Sequence, residues 1–258
     1  MALINCDFFS EILQLSCSML VVLPERPLSD IQSTSCPLYP TLYLLHGMSD
    51  DHTIWQRRTS IERYATEKGL AVVMPAVHRS FYTDMANGYR YWTYISEEVP
   101  ARARDMFPLS AKREENFAAG LSMGGYGAFK MALRHPQRFA AAASLSGALD
   151  AAVLANLKDP GWEEEMRTVF GDLDAISGSE NDLFFLASQV AESEQIRPKL
   201  FQWCGTEDEL YGLNLKFRDF VQDLPFDYAY SEGPGDHTWG HWDDQIQNVL
   251  DWLPLPQE

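Results

Sequence analysis

Short, nearly unbroken apolar runs recur along the chain, at 41–45, 70–74, 117–121, 140–145, 199–204 and 226–230. Runs of this length without polar alternation suit strands buried on both faces, as in a parallel sheet. The earlier stretch 11–23 reads as one or two N-terminal strands closed by Pro24. Helical spacing fills the intervals. Residues 124–134 form one such stretch and stop at His135-Pro136, where proline disfavours a further helical turn. Near the C-terminus Trp242, Ile246, Val249, Leu250 and Leu253 fall at i, i+4, i+7, i+8 and i+11, one face of a helix. Strands alternating with helices predict an α/β chain with a mostly parallel central sheet and helices on both faces. The proline-bearing stretch 25–40, with its Ser/Thr cluster, reads as a loop. Residues 150–196 are polar, acidic and weakly patterned. They read as a helical insertion and candidate lid within a single domain spanning 1–258.

Composition narrows the function classes. With 258 residues, 46% of them hydrophobic, the chain can bury a substantial core, which excludes global disorder. Its formal net charge of −17 argues against nucleic acid or an anionic membrane as partner, since both reward clustered Lys and Arg. The charge is uneven: residues 1–150 carry a net −1 and residues 151–258 a net −16. Cys6, Cys17, Cys36 and Cys204 are scattered, without Cys-x-x-Cys or metal-ligand spacing, so reduced thiols are expected and no metal. Asp7 and Glu11 interrupt the first apolar residues and no Lys or Arg precedes Arg26, unlike a secretory leader. A cytoplasmic location follows as the expectation, and a homo-oligomer stays open.

One motif carries chemistry. Gly120-Leu121-Ser122-Met123-Gly124 fits G-x-S-x-G, in which a sharp strand-to-helix turn presents a strained serine. The pattern alone is modestly specific, but here a strand at 117–121 precedes it and a helical stretch follows. A serine hydroxyl is a poor nucleophile until a base takes its proton and an acid orients that base. In this arrangement the chain order is serine, then acid, then histidine. Only His237 and His241 lie far downstream. His237 sits in a Gly/Pro loop suited to present a base, whereas His241 opens the last helix and reads as a terminal polar residue. The acid should leave a strand end after 199–204, where Glu207, Asp208 and Glu209 stand together, and position alone does not separate them. An oxyanion hole needs two backbone N–H donors. One is expected from Met123 and the other from the loop after 41–45, at Met48. His46 precedes the nucleophile, so a loop-shaping role is preferred for it.

With these residues in place the chain resembles the esterase D group of α/β-hydrolases over nearly its whole length. That group includes tributyrin esterases, S-formylglutathione hydrolases and feruloyl or acetyl-xylan esterases. The landmarks are Leu44–Met48 with Trp55, Tyr82-Thr83-Asp84, Glu97–Pro100, Gly120–Gly125, Ser146-Gly147, Trp203–Tyr211 and Gly235–Trp242. The resemblance is nearest to small bacterial tributyrin esterases. It implies an α/β-hydrolase fold and a cofactor-free serine esterase with Ser122 as nucleophile, Asp208 as acid and His237 as base. It also implies Met48 and Met123 as oxyanion donors. One departure stands out. Where S-formylglutathione hydrolases usually carry a cysteine or threonine soon after H-G-L, this chain has Met48-Ser49-Asp50-Asp51.

The expected activity is hydrolysis of short-chain acyl esters through an acyl-enzyme on Ser122. Feruloyl, cinnamoyl or acetyl-xylan esters and S-formylglutathione are alternative substrates. Acyl transfer, or non-catalytic binding on the same fold, would be different classes of function. Trp55, Tyr82, Trp239 and Trp242 are candidates to line the pocket, against the competing reading that such rings pack the core. Trp239, two residues past His237, is preferred. If part of the acidic excess borders the site mouth, it should favour a neutral small-molecule ester.

Overall fold

The computed structural model describes residues 1–25, 28 and 38–255. Most of the proline-bearing stretch 25–40, and Cys36 with it, lies outside the described residues. Eight strands form one sheet: β1 (Ala2–Ser10), β2 (Leu15–Leu23), β3 (Thr41–Leu45), β4 (Ala71–Pro75), β5 (Asn116–Leu121), β6 (Ala141–Leu145), β7 (Lys199–Gly205) and β8 (Tyr228–Gly233). Their order is β1-β2-β4-β3-β5-β6-β7-β8. The strands from β4 through β8 in that order are parallel, and the β1–β2 hairpin joins antiparallel at β4. Every residue of β3, β4, β5 and β6 is buried, which explains why each appears in the sequence as an unbroken apolar run.

Where the pattern predicts one or two strands within 11–23, the first strand lies earlier in the chain. Two strands are present, but the first begins at Ala2, and the residues around Glu11–Gln14 form the turn between them. As the sheet's edge strand, β1 exposes Leu3, Asn5, Asp7 and Phe9 in alternation, so it carries no continuous apolar signal. The turn is held by the buried Glu98 carboxylate, which accepts the Glu11 N–H at 2.7 Å and the Ser10 hydroxyl. At the opposite edge β8 is shifted to Tyr228–Gly233, where polar Ser231 and Glu232 face water.

Nine helices flank the sheet among the described residues: α1 (Ile54–Arg58), α2 (Ile61–Glu67), α3 (Val99–Met106), α4 (Met123–Arg134), α5 (Ala151–Ala155), α6 (Pro160–Phe170), α7 (Leu183–Glu192), α8 (Tyr211–Val221) and α9 (Trp239–Trp252), besides shorter turns. The period-two alternation of the strands divides the core. Tyr43, Leu45, Val73 and Ala118 face one layer with residues of α3, α4, α7 and α8. Leu42, Leu44, Val72 and Phe117 face the other with α1, α2 and α9. In α9, Trp242, Ile246, Val249 and Leu250 are buried as their spacing predicts. Three helices occupy the 150–196 segment, and each starts on an aspartate whose side chain accepts backbone N–H groups: Asp150, Asp159 and Asp182. Part of the acidity there is therefore helix capping. Among the described residues no helix is long and apolar enough to cross a membrane.

Candidate active site

Met48, Ser122, Asp208 and His237 all lie in the connections just past the C-terminal ends of parallel strands, the edge where open α/β sheets bind ligands. Ser122 occupies the junction of β5 and α4 with φ 52° and ψ −121°, a conformation costly for a side-chain-bearing residue. Its backbone is clamped: its N–H donates to Leu145 O at 2.9 Å, and its carbonyl accepts the Ala148 N–H at 3.0 Å. The flanking glycines explain how so sharp a turn fits. A Cβ on Gly120 would sit 2.4 Å from the Gly124 carbonyl, and one on Gly124 would sit 2.4 Å from Leu45 O. Strand, helix and β3 end approach backbone to backbone, which only hydrogen at those positions permits.

The three consecutive acids after β7 have three different environments. Asp208 is buried, and its Oδ2 lies 2.8 Å from His237 Nδ1 while Oδ1 accepts the Leu210 N–H at 2.8 Å. Burial pushes its carboxyl pKa up. Hydrogen bonds from His237, the Leu210 N–H and Ser146 outweigh that and hold it below the ordinary aspartate value. Exposed Glu207 accepts the Gly235 N–H at 2.5 Å, its own N–H donates to Gly235 O at 3.0 Å, and so it laces the β7 and β8 loops together. Glu209 is exposed and borders a cavity described below. An ionised Asp208 requires the proton of His237 on Nδ1, leaving Nε2 as the nitrogen able to accept a proton. The imidazole stands edge-on to Trp242 at 4.9 Å between centroids, and Trp242 Nε1–H donates to Ser146 Oγ at 3.1 Å. His241 instead lies within 3.6 Å of Asp236 and beside Trp203, away from Asp208. Burial raises the neighbouring Cys204 thiol to about 12, which keeps it protonated at neutral pH.

On the other side of Ser122, Met48 and Met123 both border the same cavity. As the first residue of α4, Met123 has no carbonyl one turn earlier to accept its N–H, and the helix N-terminus favours developing negative charge. His46 shapes the loop that carries Met48. It is buried, its Nε2 accepts the Val77 N–H at 3.0 Å, and its Nδ1 lies 2.6 Å from Gly47 O. That pattern needs a neutral ring, and burial lowers its pKa to about 4. The unfolded chain takes up this proton near pH 6.5 and the folded chain does not. Stability should therefore be full above pH 6.5 and fall by about 1.4 kcal/mol per pH unit for this group as pH drops toward 4. His135, also lowered to about 4, adds in the same direction. A urea midpoint that stays level across this window would contradict the assignment.

The cavity at Ser122 has a volume of about 550 Å³. Its walls are apolar except for Ser122, His237 and Glu209, and include Phe81, Val153, Leu157, Trp162 and Leu213. The expected pocket residues Trp55 and Trp239 lie outside this lining. Trp55 is buried in the core with its Nε1–H donating to Leu45 O at 3.0 Å, and Trp239 packs edge-on against it at 5.1 Å. Neither lines the cavity. Tyr82 is fully buried, donates its hydroxyl to His46 O at 2.9 Å and packs against Gly127, while its neighbour Phe81 faces the pocket. The rings expected to line the pocket pack instead beneath the loops that carry Ser122 and His237. Four further lining residues, Val153, Leu154, Leu157 and Trp162, come from 150–196, where their apolar side chains in an acidic stretch were the available signal; Phe81, Ala148, Leu210 and Leu213 come from elsewhere.

A buried lysine joins that segment to the site. Lys130, on α4, sends its Nζ to Tyr82 O at 3.0 Å, Thr83 Oγ1 at 2.9 Å and Asn181 Oδ1 at 2.7 Å. Burial pushes its pKa well below the ordinary lysine value. Lys130→Met should strand these acceptors in the core and cost about 3 kcal/mol or more of stability. Urea denaturation checks this, and a loss under about 1 kcal/mol would show that the acceptors find other donors.

The Esterase family model ("Putative esterase") matches residues 10–253. The chain belongs to this family. The acetyl esterase of Caldicellulosiruptor saccharolyticus is 31% identical over 261 residues, covering 98% of each protein. Two solved structures from Staphylococcus aureus are each 38% identical and cover 98% of both chains. One is the fluorophosphonate-binding serine hydrolase FphF (TM-score 0.92), and the other is S-formylglutathione hydrolase FrmB (TM-score 0.88). The esterase thus has the α/β-hydrolase fold, groups with the esterase D and S-formylglutathione hydrolase relatives, and is a serine hydrolase of carboxylic ester bonds.

Proposed function

We propose that this chain hydrolyses short-chain acyl esters through an acyl-enzyme on Ser122. The observation that carries the reading is that Ser122 and His237 line one apolar cavity, with His237 held at 2.8 Å by buried Asp208. Ser122 Oγ attacks the ester carbonyl as His237 Nε2 takes its proton. The tetrahedral oxyanion is met by the N–H groups of Met48 and Met123. His237 returns the proton to the leaving alcohol. Water, activated by the same nitrogen, then releases the acid. No step calls for a metal or cofactor, so activity should survive EDTA. The substrate is a small uncharged ester, and a cytoplasmic, homo-oligomeric protein is compatible with this role.

In the same reading the chain is one domain, and 150–196 is a fixed wall of the pocket rather than a swinging lid. Ties along its length support this. Lys216 pairs with Asp150 at 2.5 Å, Arg79 with Glu165, and Arg134 with Glu180 at 2.5 Å. The N–H groups of Ala86 and Asn87 donate to Val169 O and Thr168 O. The FrmB similarity favours glutathione thioester hydrolysis as a second reading. A panel of p-nitrophenyl acyl esters, tributyrin, methyl ferulate and S-formylglutathione separates them. Acetyl to butyryl esters should give the highest kcat/KM. A value for S-formylglutathione or methyl ferulate about tenfold above all of these would replace the short-chain assignment.

A further inference from the structure

Resting on this esterase reading, we propose that Glu209 is a specificity-determining residue that turns away esters carrying a negative charge near the scissile bond. Among the residues lining the cavity it is the one carboxylate; Met48, Phe81, Leu157, Trp162 and Leu213 make the surrounding wall apolar. The two acids before it are engaged elsewhere, Asp208 by His237 and Glu207 by the Gly235 N–H. Glu209 is exposed at the mouth, beside the histidine that must carry a positive charge in the transition state. No lysine or arginine is among the residues lining the cavity. Lys216 is paired with Asp150 at 2.5 Å, and Lys158 follows Leu157 in the chain but is not part of the lining. An apolar wall screens poorly, so the field of one carboxylate extends over the width of a small substrate. A second negative charge a few ångströms away is repelled, while an uncharged ester of the same shape is not. Glutathione thioesters, which carry two carboxylates, would meet this barrier.

The test uses two acetyl esters of matched shape, 4-acetoxybenzoate (anionic) and 4-acetoxybenzamide (neutral). The quantity read is the ratio of their kcat/KM values in wild type, Glu209→Gln and Glu209→Asp, at low and high salt. The wild type should prefer the amide. Glu209→Gln should raise the anionic-to-neutral ratio about fivefold to tenfold, and Glu209→Asp should leave it near the wild-type value. Added salt should raise the wild-type ratio and barely change that of Glu209→Gln. A side chain with only a packing role would not move the ratio with charge. Ratios equal within about twofold in wild type and Glu209→Gln would overturn the assignment. Failure of the wild type to hydrolyse either ester would overturn the esterase reading, and this inference with it.

Discussion

Replacing Ser122 by alanine is expected to lower kcat by about three orders of magnitude or more, with the fold intact. The backbone there is strained by its φ of 52°, but alanine tolerates that conformation as well as serine does. The clamp on it uses main-chain atoms alone, the N–H to Leu145 O and the carbonyl from Ala148, so it survives the substitution. What disappears is the Oγ proposed to form the acyl bond. Residual turnover would then come from binding and the oxyanion donors acting on water. Turnover of p-nitrophenyl butyrate together with a thermal melt checks both halves of the expectation. An alanine variant that turns over at near the wild-type rate would remove Ser122 from the mechanism. Loss of covalent labelling by a fluorophosphonate should accompany the loss of rate.

The second large effect is expected at Asp208. Asp208→Asn keeps the shape but presents an NH₂ or a carbonyl where a carboxylate stood. The imidazole can then adopt the tautomer with its proton on Nε2, which leaves no lone pair for the serine proton, and kcat should fall by about 10³ to 10⁴. Stability should also fall. The carboxyl pKa is below its ordinary value in the fold, so the ionised form contributes stability above the unfolded value near 3.9 that is lost as pH drops through the folded value. In the asparagine variant this acid-sensitive part should vanish. Combining the two substitutions should cost little more than Ser122→Ala alone, because the residues act as a unit. An Asp208→Asn enzyme retaining more than about a tenth of wild-type kcat would show that another group orients His237.

The legible parts of this molecule share a property. The strands at 41–45 and 117–121 declare themselves because burial on both faces leaves no room for polar side chains. The elbow is legible because Gly120 and Gly124 answer to backbone contacts at 2.4 Å, a demand met at fixed spacing in the chain. The edge strand Ala2–Ser10 hides because half of it faces water. The pocket hides for another reason. Trp55 and Trp239 flank the motifs in sequence, yet they pack against one another outside the cavity lining. The cavity wall at Ser122 draws on Phe81 and on Val153, Leu154, Leu157 and Trp162, segments distant in the chain from that serine.

The sequence by itself determined the α/β class and the strained serine after β5, since each rests on local spacing or on burial along one element. Local position did not separate the three adjacent acids and the family resemblance singled out Asp208; the tertiary structure buries that one against His237, turns Trp55 and Tyr82 into the core, and sets Glu209 at the cavity. Those outcomes depend on how the loops after β7 and β8 are laced by Glu207 and Gly235, and on how a segment tied by Lys130 and Lys216 closes over the site. They are relations between residues far apart in the chain, and no local pattern encodes them.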